Sequence, residues 1–293
     1  MTYYTKPWLV TAVISLLILP FLFYAGSHLL RPPRTNLKTT LFQGIVYQRL
    51  ARSLPRNYML HIITLDLTAP EIGVLVTPGM PTPDDREVRA MTTSEFVKEF
   101  KVQLAINANF FYPFREDNPW DFYPHSGDKT NVLGQAISQG VTYSPAQADW
   151  PGLCFDANNI AQIIESGKCP NGTSQAVAGR QILVNRGKGV DGILYDDYKP
   201  YARMAVGSDR SGQKLWLIAV DGKQPHYSEG VTLAELRDIF IELGADMAVN
   251  LDGGGSTTIV VSDRGIRLLN APIHTKLPMR ERPVANHLGF FAR

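Results

Sequence analysis

Apolar positions fall into many short runs along most of this chain, rather than into long helical stripes. The runs are Gly44–Leu50, Met59–Leu67, Ile72–Val76, Val102–Ile106, Gly134–Tyr143, Leu153–Phe155, Ala161–Ile164, Ala176–Val184, Arg203–Val206, Leu215–Val220, Met247–Leu251, Thr257–Ser262 and Leu288–Phe291. Gly, Pro, Asn and Asp separate them, so they read as strands joined by turns. Two segments carry a helical stripe instead. Thr93–Lys101 repeats apolar residues at Phe96, Val97 and Phe100. Thr232–Leu243 does so at Leu233, Leu236, Ile239, Phe240 and Leu243. In the second, Thr232 and Glu235 form a capping box and Gly244 supplies the stop. The expected class is α+β, a β-rich mixed-sheet body with few helices.

The N-terminus breaks this pattern. No Asp, Glu, Lys or Arg lies between Lys6 and Arg31, and Trp8 to Tyr24 is almost wholly apolar. As a helix the uncharged stretch would extend about 35 Å, enough to span a bilayer core, with Trp8 and Tyr24 near its ends. Residues 1–30 are therefore expected to form a transmembrane anchor; a signal segment cleaved near Ala25-Gly26-Ser27 is the alternative. Arg31-Pro-Pro-Arg34 through Thr40 reads as an extended linker over 31–40, and 41–293 as one domain. Arg31, Arg34 and Lys38 would by themselves hold the body in the cytoplasm.

Composition narrows the classes. Of 293 residues, 44% are hydrophobic and 19% charged, which supplies a core and excludes a disordered chain. A formal net charge of +2 gives no basic field, so no nucleic-acid partner is expected. Two cysteines are too few for a four-thiolate zinc site. Cys154 and Cys169 flank a stretch able to form a hairpin, which would bring the thiols together; two unrelated buried thiols are the alternative. A bridge there implies an oxidising, extracytoplasmic location, periplasmic or extracellular.

The sharpest chemical feature is Asn250-Leu-Asp252-Gly253-Gly254-Gly255-Ser256-Thr257-Thr258, set between two apolar runs. Consecutive glycines free the backbone to approach a ligand, and successive N–H groups with the Ser256 and Thr257 hydroxyls suit an anion nest. Asn250 and Asp252 alternate at a strand end and can face one pocket. Asn107 and Asn109, followed by aromatics, suit sugar hydroxyls and stacking. Asp221 ends another run, and Arg203 and Arg282 carry forks that match oxyanions. The aperiodic, aromatic loop Phe111–Asn131 is long enough to be functional.

A spaced series of these segments resembles the phosphodiester glycosidases, a family related to the uncovering enzyme that removes N-acetylglucosamine from a phosphodiester on lysosomal enzymes. The series is INANFF, AGRQILVNRGK (Ala178–Lys188), RMAVGSD (Arg203–Asp209), LIAVDGK (Leu217–Lys223), SEGVTLAEL (Ser228–Leu236), NLDGGGSTT (Asn250–Thr258) and RPVANHLGFF (Arg282–Phe291). It covers roughly Ile45 to Phe291. The long loop and the Cys pair further resemble secreted bacterial members. The resemblance implies hydrolysis of a sugar-1-phosphodiester, here expected in the cell envelope. Asp252 is then the candidate base or nucleophile, and Asp221 a second carboxylate or structural partner. Arg203, Arg282 and the turn N–H groups would hold phosphate; Asn107, Asn109 and Asn250 would hold sugar. No cofactor is demanded, though Asp252, Asp221 and Asn250 could share a divalent cation. The rival reading is a non-catalytic, membrane-tethered glycan-binding protein in envelope or exopolysaccharide assembly.

Overall fold

The computed structural model describes residues 18–19, 22, 24–80, 86–192 and 199–292. Most of the expected anchor lies outside these residues. Among the described ones, 24–29 are helical and no helix is long and apolar enough to cross a membrane.

Among the described residues, three larger sheets build most of the body, beside a three-stranded sheet and two two-stranded ones. An eight-stranded sheet runs in the order Leu37–Phe42, Ile45–Arg52, Tyr58–Asp66, Lys214–Val220, Arg203–Ser208, Met247–Asn250, Ile182–Asn185 and Lys188–Gly189. A five-stranded sheet is ordered Ile266–Leu268, Ile259–Ser262, Leu104–Asn107, His287–Phe291, Gly73–Val76. A second five-stranded sheet is ordered Val141–Ser144, Ala136–Ser138, Gln175–Ala178, Gly152–Phe155, Ala161–Ile164.

The strands read as continuous apolar runs because both faces of the large sheet are covered. Ile63, Leu65, Leu215, Leu217, Met204 and Val206 face the main core, which they share with Leu104, Ile106, Leu288, Phe290, Leu153 and Val177 of the other two sheets. The alternate residues Leu60, Ile62, Ala205, Trp216 and Ile218 face outward onto helix Leu233–Leu243, through Leu233, Leu236 and Phe240. Helix Thr93–Phe100 covers the outer face of the first five-stranded sheet, with Phe96 and Val97 against Leu75, Ala105 and Val260. Both helices begin at a Thr capping box, and the longer one stops at Gly244 in the left-handed conformation. The α+β reading holds.

Four expectations change. The sheets are antiparallel throughout the described strand pairs, not mixed. Short hairpins account for pairs such as Ile45–Arg52 with Tyr58–Asp66, and distant pairs such as Tyr58–Asp66 with Lys214–Val220 are antiparallel as well. The linker ends early: Leu37–Phe42 pairs with Ile45–Arg52 as an edge strand. Gly134–Tyr143 is a hairpin of two strands, with Gln139 and Gly140 at positive φ in its turn. Ala176–Val184 also divides, its halves entering different sheets.

Cys154 and Cys169 are bridged, with their Cα atoms 5.8 Å apart. The hairpin between them pairs Cys154 with Gln162 across Gly152–Phe155 and Ala161–Ile164. Closing a loop of 15 residues restricts the unfolded chain by about 3 kcal/mol. The double replacement Cys154→Ser/Cys169→Ser is expected to lose roughly that amount in urea titration; an unchanged midpoint would contradict it.

Candidate active site

The large sheet and the first five-stranded sheet present their strand ends to one place. Strand Arg203–Ser208 starts where Met247–Asn250 ends, with Ala205 opposite Asn250. Past the strand the ladder continues: Leu251 N–H donates to Met204 O at 2.8 Å and Gly254 N–H to Ala202 O at 2.8 Å. From the other sheet, Asp252 N–H donates to Ala108 O at 3.0 Å, just beyond Leu104–Asn107. The glycine turn is thus wedged between two sheets.

A cleft of about 300 Å³ opens there, lined by Phe110, Phe111, Phe114, Glu116, Tyr201, Arg203, Asn250, Leu251, Asp252, Gly253 and Arg282. Burial pushes the Asp252 carboxyl up to about 6, opposed by the nearby Arg282 guanidinium, by hydrogen bonds from Ser256 and the Gly253 N–H, and by Lys223. Arg282 is itself 7% exposed and gives a hydrogen bond from each nitrogen. Nη2 pairs with Glu116 Oε2, Nη1 donates to Ser256 Oγ at 3.1 Å, and Nε donates to His274 Nδ1 at 3.3 Å. Its guanidinium also sits 4.6 Å from the Phe114 ring centre. Burial and the neighbouring arginines depress His274 to about 3, so its ring stays neutral and can accept from Arg282. Arg203 donates to the carbonyls of Val231 at 3.3 Å and Lys199 at 3.2 Å and stacks on Tyr201. Asn250 Nδ2 bonds Gln181 Oε1 at 3.3 Å, while Asn250 Oδ1 is buried with no protein partner.

The three glycines serve the protein's own close packing. Gly254 holds φ +63°, and a Cβ there would lie 2.7 Å from the Tyr201 ring. A Cβ on Gly255 would collide with the Arg282 guanidinium. The expected anion nest is corrected accordingly. Gly254, Ser256 and Thr257 spend their N–H groups on the carbonyls of Ala202, Gly253 and Gly254, and the turn is one of 3₁₀ helix, Gly254–Ser256. Of the nominated hydroxyls, Ser256 Oγ is occupied by Arg282, whereas Thr257 Oγ1 is buried without a partner.

Asn107 and Asn109, expected to bind sugar, face the chain instead. Asn107 Nδ2 donates to Asp252 O at 2.6 Å and Oδ1 accepts from Thr258 N at 3.1 Å, clamping both ends of the glycine turn. Asn109 Oδ1 accepts from Ala178 N and Asn286 Nδ2, and Asn109 Nδ2 donates to Leu133 O. Neither residue has measurable exposure; both satisfy backbone groups that would otherwise be buried unpaired. Asp221 likewise lies outside the cleft lining. Its Oδ2 meets His61 Nε2 at 3.0 Å, and its Oδ1 accepts from Asn270 Nδ2 at 3.0 Å and Ala271 N at 2.9 Å. Asn270 in turn donates to Thr257 O at 2.9 Å, so Asp221 supports the glycine turn from behind. Of the three residues considered for a divalent cation, Asp221 thus has both carboxylate oxygens committed to the chain, while Asp252 and Asn250 line the cleft. Among the described residues no group of three or more His, Cys, Asp or Glu is placed to hold a metal.

Phe110 and Phe111, the aromatics expected beside Asn109, do line the cleft, whereas nothing local in the chain marks Glu116, His274, Phe114 or Tyr201. The long loop was flagged, and it delivers Phe111, Phe114 and Glu116 to the cleft. Its aperiodic pattern gave no means of choosing Glu116 from the other acids in it.

The sequence profile of the phosphodiester glycosidases matches residues 100–291. The N-acetylglucosamine-1-phosphodiester alpha-N-acetylglucosaminidase of Bos taurus is 44% identical over 61 residues, which are 21% of this chain and 11% of that protein. The chain therefore aligns with only about a tenth of that relative's length. Among solved structures, the catalytic domain of the zebrafish enzyme of that name, auto-inhibited by its pro-peptide, superposes with a TM-score of 0.61 at 20% identity, covering 88% of each chain. A hypothetical protein from Synechocystis gives a TM-score of 0.64 at 15% identity, covering 89% of this chain and 64% of its own. At these identities the structural likenesses establish a shared fold.

Proposed function

The chain belongs to the phosphodiester glycosidase family, and from that premise we propose that it is a hydrolase cleaving the glycosidic C–O bond of a sugar-1-phosphodiester. The observation that carries this reading is the presence of Asp252 and Arg282 together in the lining of one aromatic-walled cleft. A buried carboxyl raised to about 6 is suited to proton transfer or attack near neutrality.

In this scheme the sugar stacks against Phe110, Phe111, Phe114 or Tyr201, with a hydroxyl donating to Asn250 Oδ1. Arg282 and Arg203, both in the cleft lining, receive the phosphate. Water oxygen joins C1 of the sugar. The C1–O bond breaks toward phosphate, whose negative charge makes protonation of the leaving group a small demand. As base, Asp252 takes the water proton; as nucleophile, it attacks C1 first, and Glu116 takes the proton of the water that then displaces it. Glu116 replaces Asp221 as the second carboxylate of the cleft. By accepting from Arg282 it fixes the guanidinium plane toward the phosphate. Asp221 acts as the structural partner of the turn.

The disulfide supports an extracytoplasmic body, since such bonds persist in oxidising compartments. The uncharged N-terminal stretch supports anchoring at the envelope, with an envelope phosphodiester as substrate.

The test is a panel of sugar-1-phosphodiesters incubated with the full chain in heavy-oxygen water. Free sugar carrying the label at C1, with an unlabelled phosphomonoester, is expected. Label in the phosphate, or saturable sugar binding with no release, would sink the glycosidase reading; the second result would favour the glycan-binding alternative.

A further inference from the structure

Beside the cleft lies a second and larger concavity of about 720 Å³, between residues 24–30 and the turn after His274. It is walled by Tyr24, Leu30, Leu277, Pro278, Met279 and Arg280. Nothing in the hydrolysis of a small sugar phosphodiester uses it. Its walls are mostly apolar; Arg280 carries the charge among them, and the Ser27 hydroxyl is spent on Tyr24 O at 2.7 Å. Leu30 is 71% exposed on its rim. Segment 274–282 joins it to the cleft. His274 and Arg282 belong to the cleft's hydrogen-bond network, and strand Leu277–Pro278 pairs back on Ile273–His274 to form the groove wall. Arg280 stands at the junction. Its Nη1 donates to Thr275 Oγ1 at 2.8 Å and to Pro119 O at 2.9 Å, and its guanidinium lies 4.8 Å from the Phe122 ring centre.

A further apolar group stands on the same junction. Trp120, next to Pro119, is 87% exposed, yet its loop is firmly built. Asn118 Oδ1 accepts from the N–H groups of Trp120 and Asp121 at 2.9 Å each, and Arg115 pairs with Asp121 at 2.6 Å. A rigid, solvent-exposed indole beside an apolar groove, next to a chain end that leads into an uncharged stretch, matches the chemistry of a bilayer interface.

Resting on the hydrolase reading above, we propose that the groove takes the hydrocarbon chain of a lipid whose phosphodiester lies in the cleft. The substrate class is then a lipid-linked sugar-1-phosphate. Charge complementarity selects this occupant: an anionic head reaches Arg282 and Arg280, and an apolar tail attached to it meets Leu30, Leu277 and Met279. The enzyme draws its substrate from the membrane plane, with Trp120 resting at the headgroup level.

Two measurements on the full chain in liposomes test this. In the first, methyl, octyl and dodecyl esters of one sugar-1-phosphate are compared. From methyl to dodecyl, kcat/KM is expected to rise by at least about tenfold, as burial of several methylenes allows. In the double variant Leu30→Glu/Met279→Glu the dodecyl ester should fall to the methyl value, with methyl turnover unchanged. A flat chain-length profile, or equal losses on all esters, overturns the proposal. In the second, an alkyl phosphodiester carrying a photoreactive diazirine in its tail is crosslinked and mapped. Labels at Leu277–Arg280 that vanish in the double variant are expected; labels confined to residues 1–24 overturn it. Because crosslinking needs no turnover, labels at Leu277–Arg280 with no hydrolysis of any ester would sink the hydrolase reading and leave the groove's occupant standing.

Discussion

Asp252→Asn is expected to lower kcat by roughly 10²- to 10⁴-fold, the range for loss of a positioned acid–base group, while making the protein more resistant to heat above pH 7. The two effects have one cause. Asp252 is buried beside Phe and Leu side chains, and burial lifts its carboxyl to about 6 from 3.8. Its raised value means that the folded state holds the proton more tightly than the unfolded chain. The contribution to stability is therefore complete below about 3.8 and is lost as pH rises through about 6. Activity runs the other way: a base or nucleophile works ionised, so the rate should climb through about pH 6 and level off. Asparagine keeps the shape and can accept the Ser256 and Gly253 hydrogen bonds, but has no charge to desolvate. Melting curves and pH–rate profiles of the two proteins check both halves. Full turnover by the Asn variant would remove Asp252 from the chemistry.

Arg282→Ala should reduce kcat/KM by roughly 10²- to 10³-fold, the scale for losing a preorganised donor to developing charge. It should also cost about 3 kcal/mol of stability, because a mostly buried carboxylate, Glu116, loses its charged partner and keeps only the Thr275 N–H. The same change strands Ser256 Oγ and His274 Nδ1, which receive the other two nitrogens. Arg282→Lys should recover little. An ammonium keeps the charge but cannot reach three partners in one plane or stack on Phe114 in the same way. Denaturant titration and steady-state kinetics on both variants separate the two losses. Wild-type kinetics in the Ala variant would exclude Arg282 from phosphate binding.

These expectations differ in how far each residue was legible in the chain. Asp252 was, because an acid followed by three glycines at a strand end is rare enough to stand out. Arg282 and Arg203 were legible as arginines within a spaced series, but their partners were not. Glu116, His274 and Tyr201 come from segments far apart in sequence, and no local pattern links them. Asn107 and Asn109 show the opposite error. Asn beside aromatics suggested a sugar site, yet at a buried strand end the unpaired backbone groups of the adjoining turns claim both amides. For Asp221 two roles stood open, second carboxylate or structural partner, and its oxygens are committed to His61, Asn270 and Ala271, as the structural role requires.

The sequence by itself determined the local elements. Strand runs, both helices with the caps at Thr232 and Gly244, and the hairpin that joins the two cysteines all follow from near-neighbour patterning and backbone preference. It did so because periodicity, capping and turn chemistry act over a few residues. Tertiary structure alone decided which carboxylate meets Arg282 and that the glycines admit Tyr201 and Arg282. It alone also set an apolar groove beside the cleft. Those outcomes depend on which strand ends are brought together when two sheets close on a common core, and on which buried polar group reaches a given donor first. Separation along the chain carries no information about either.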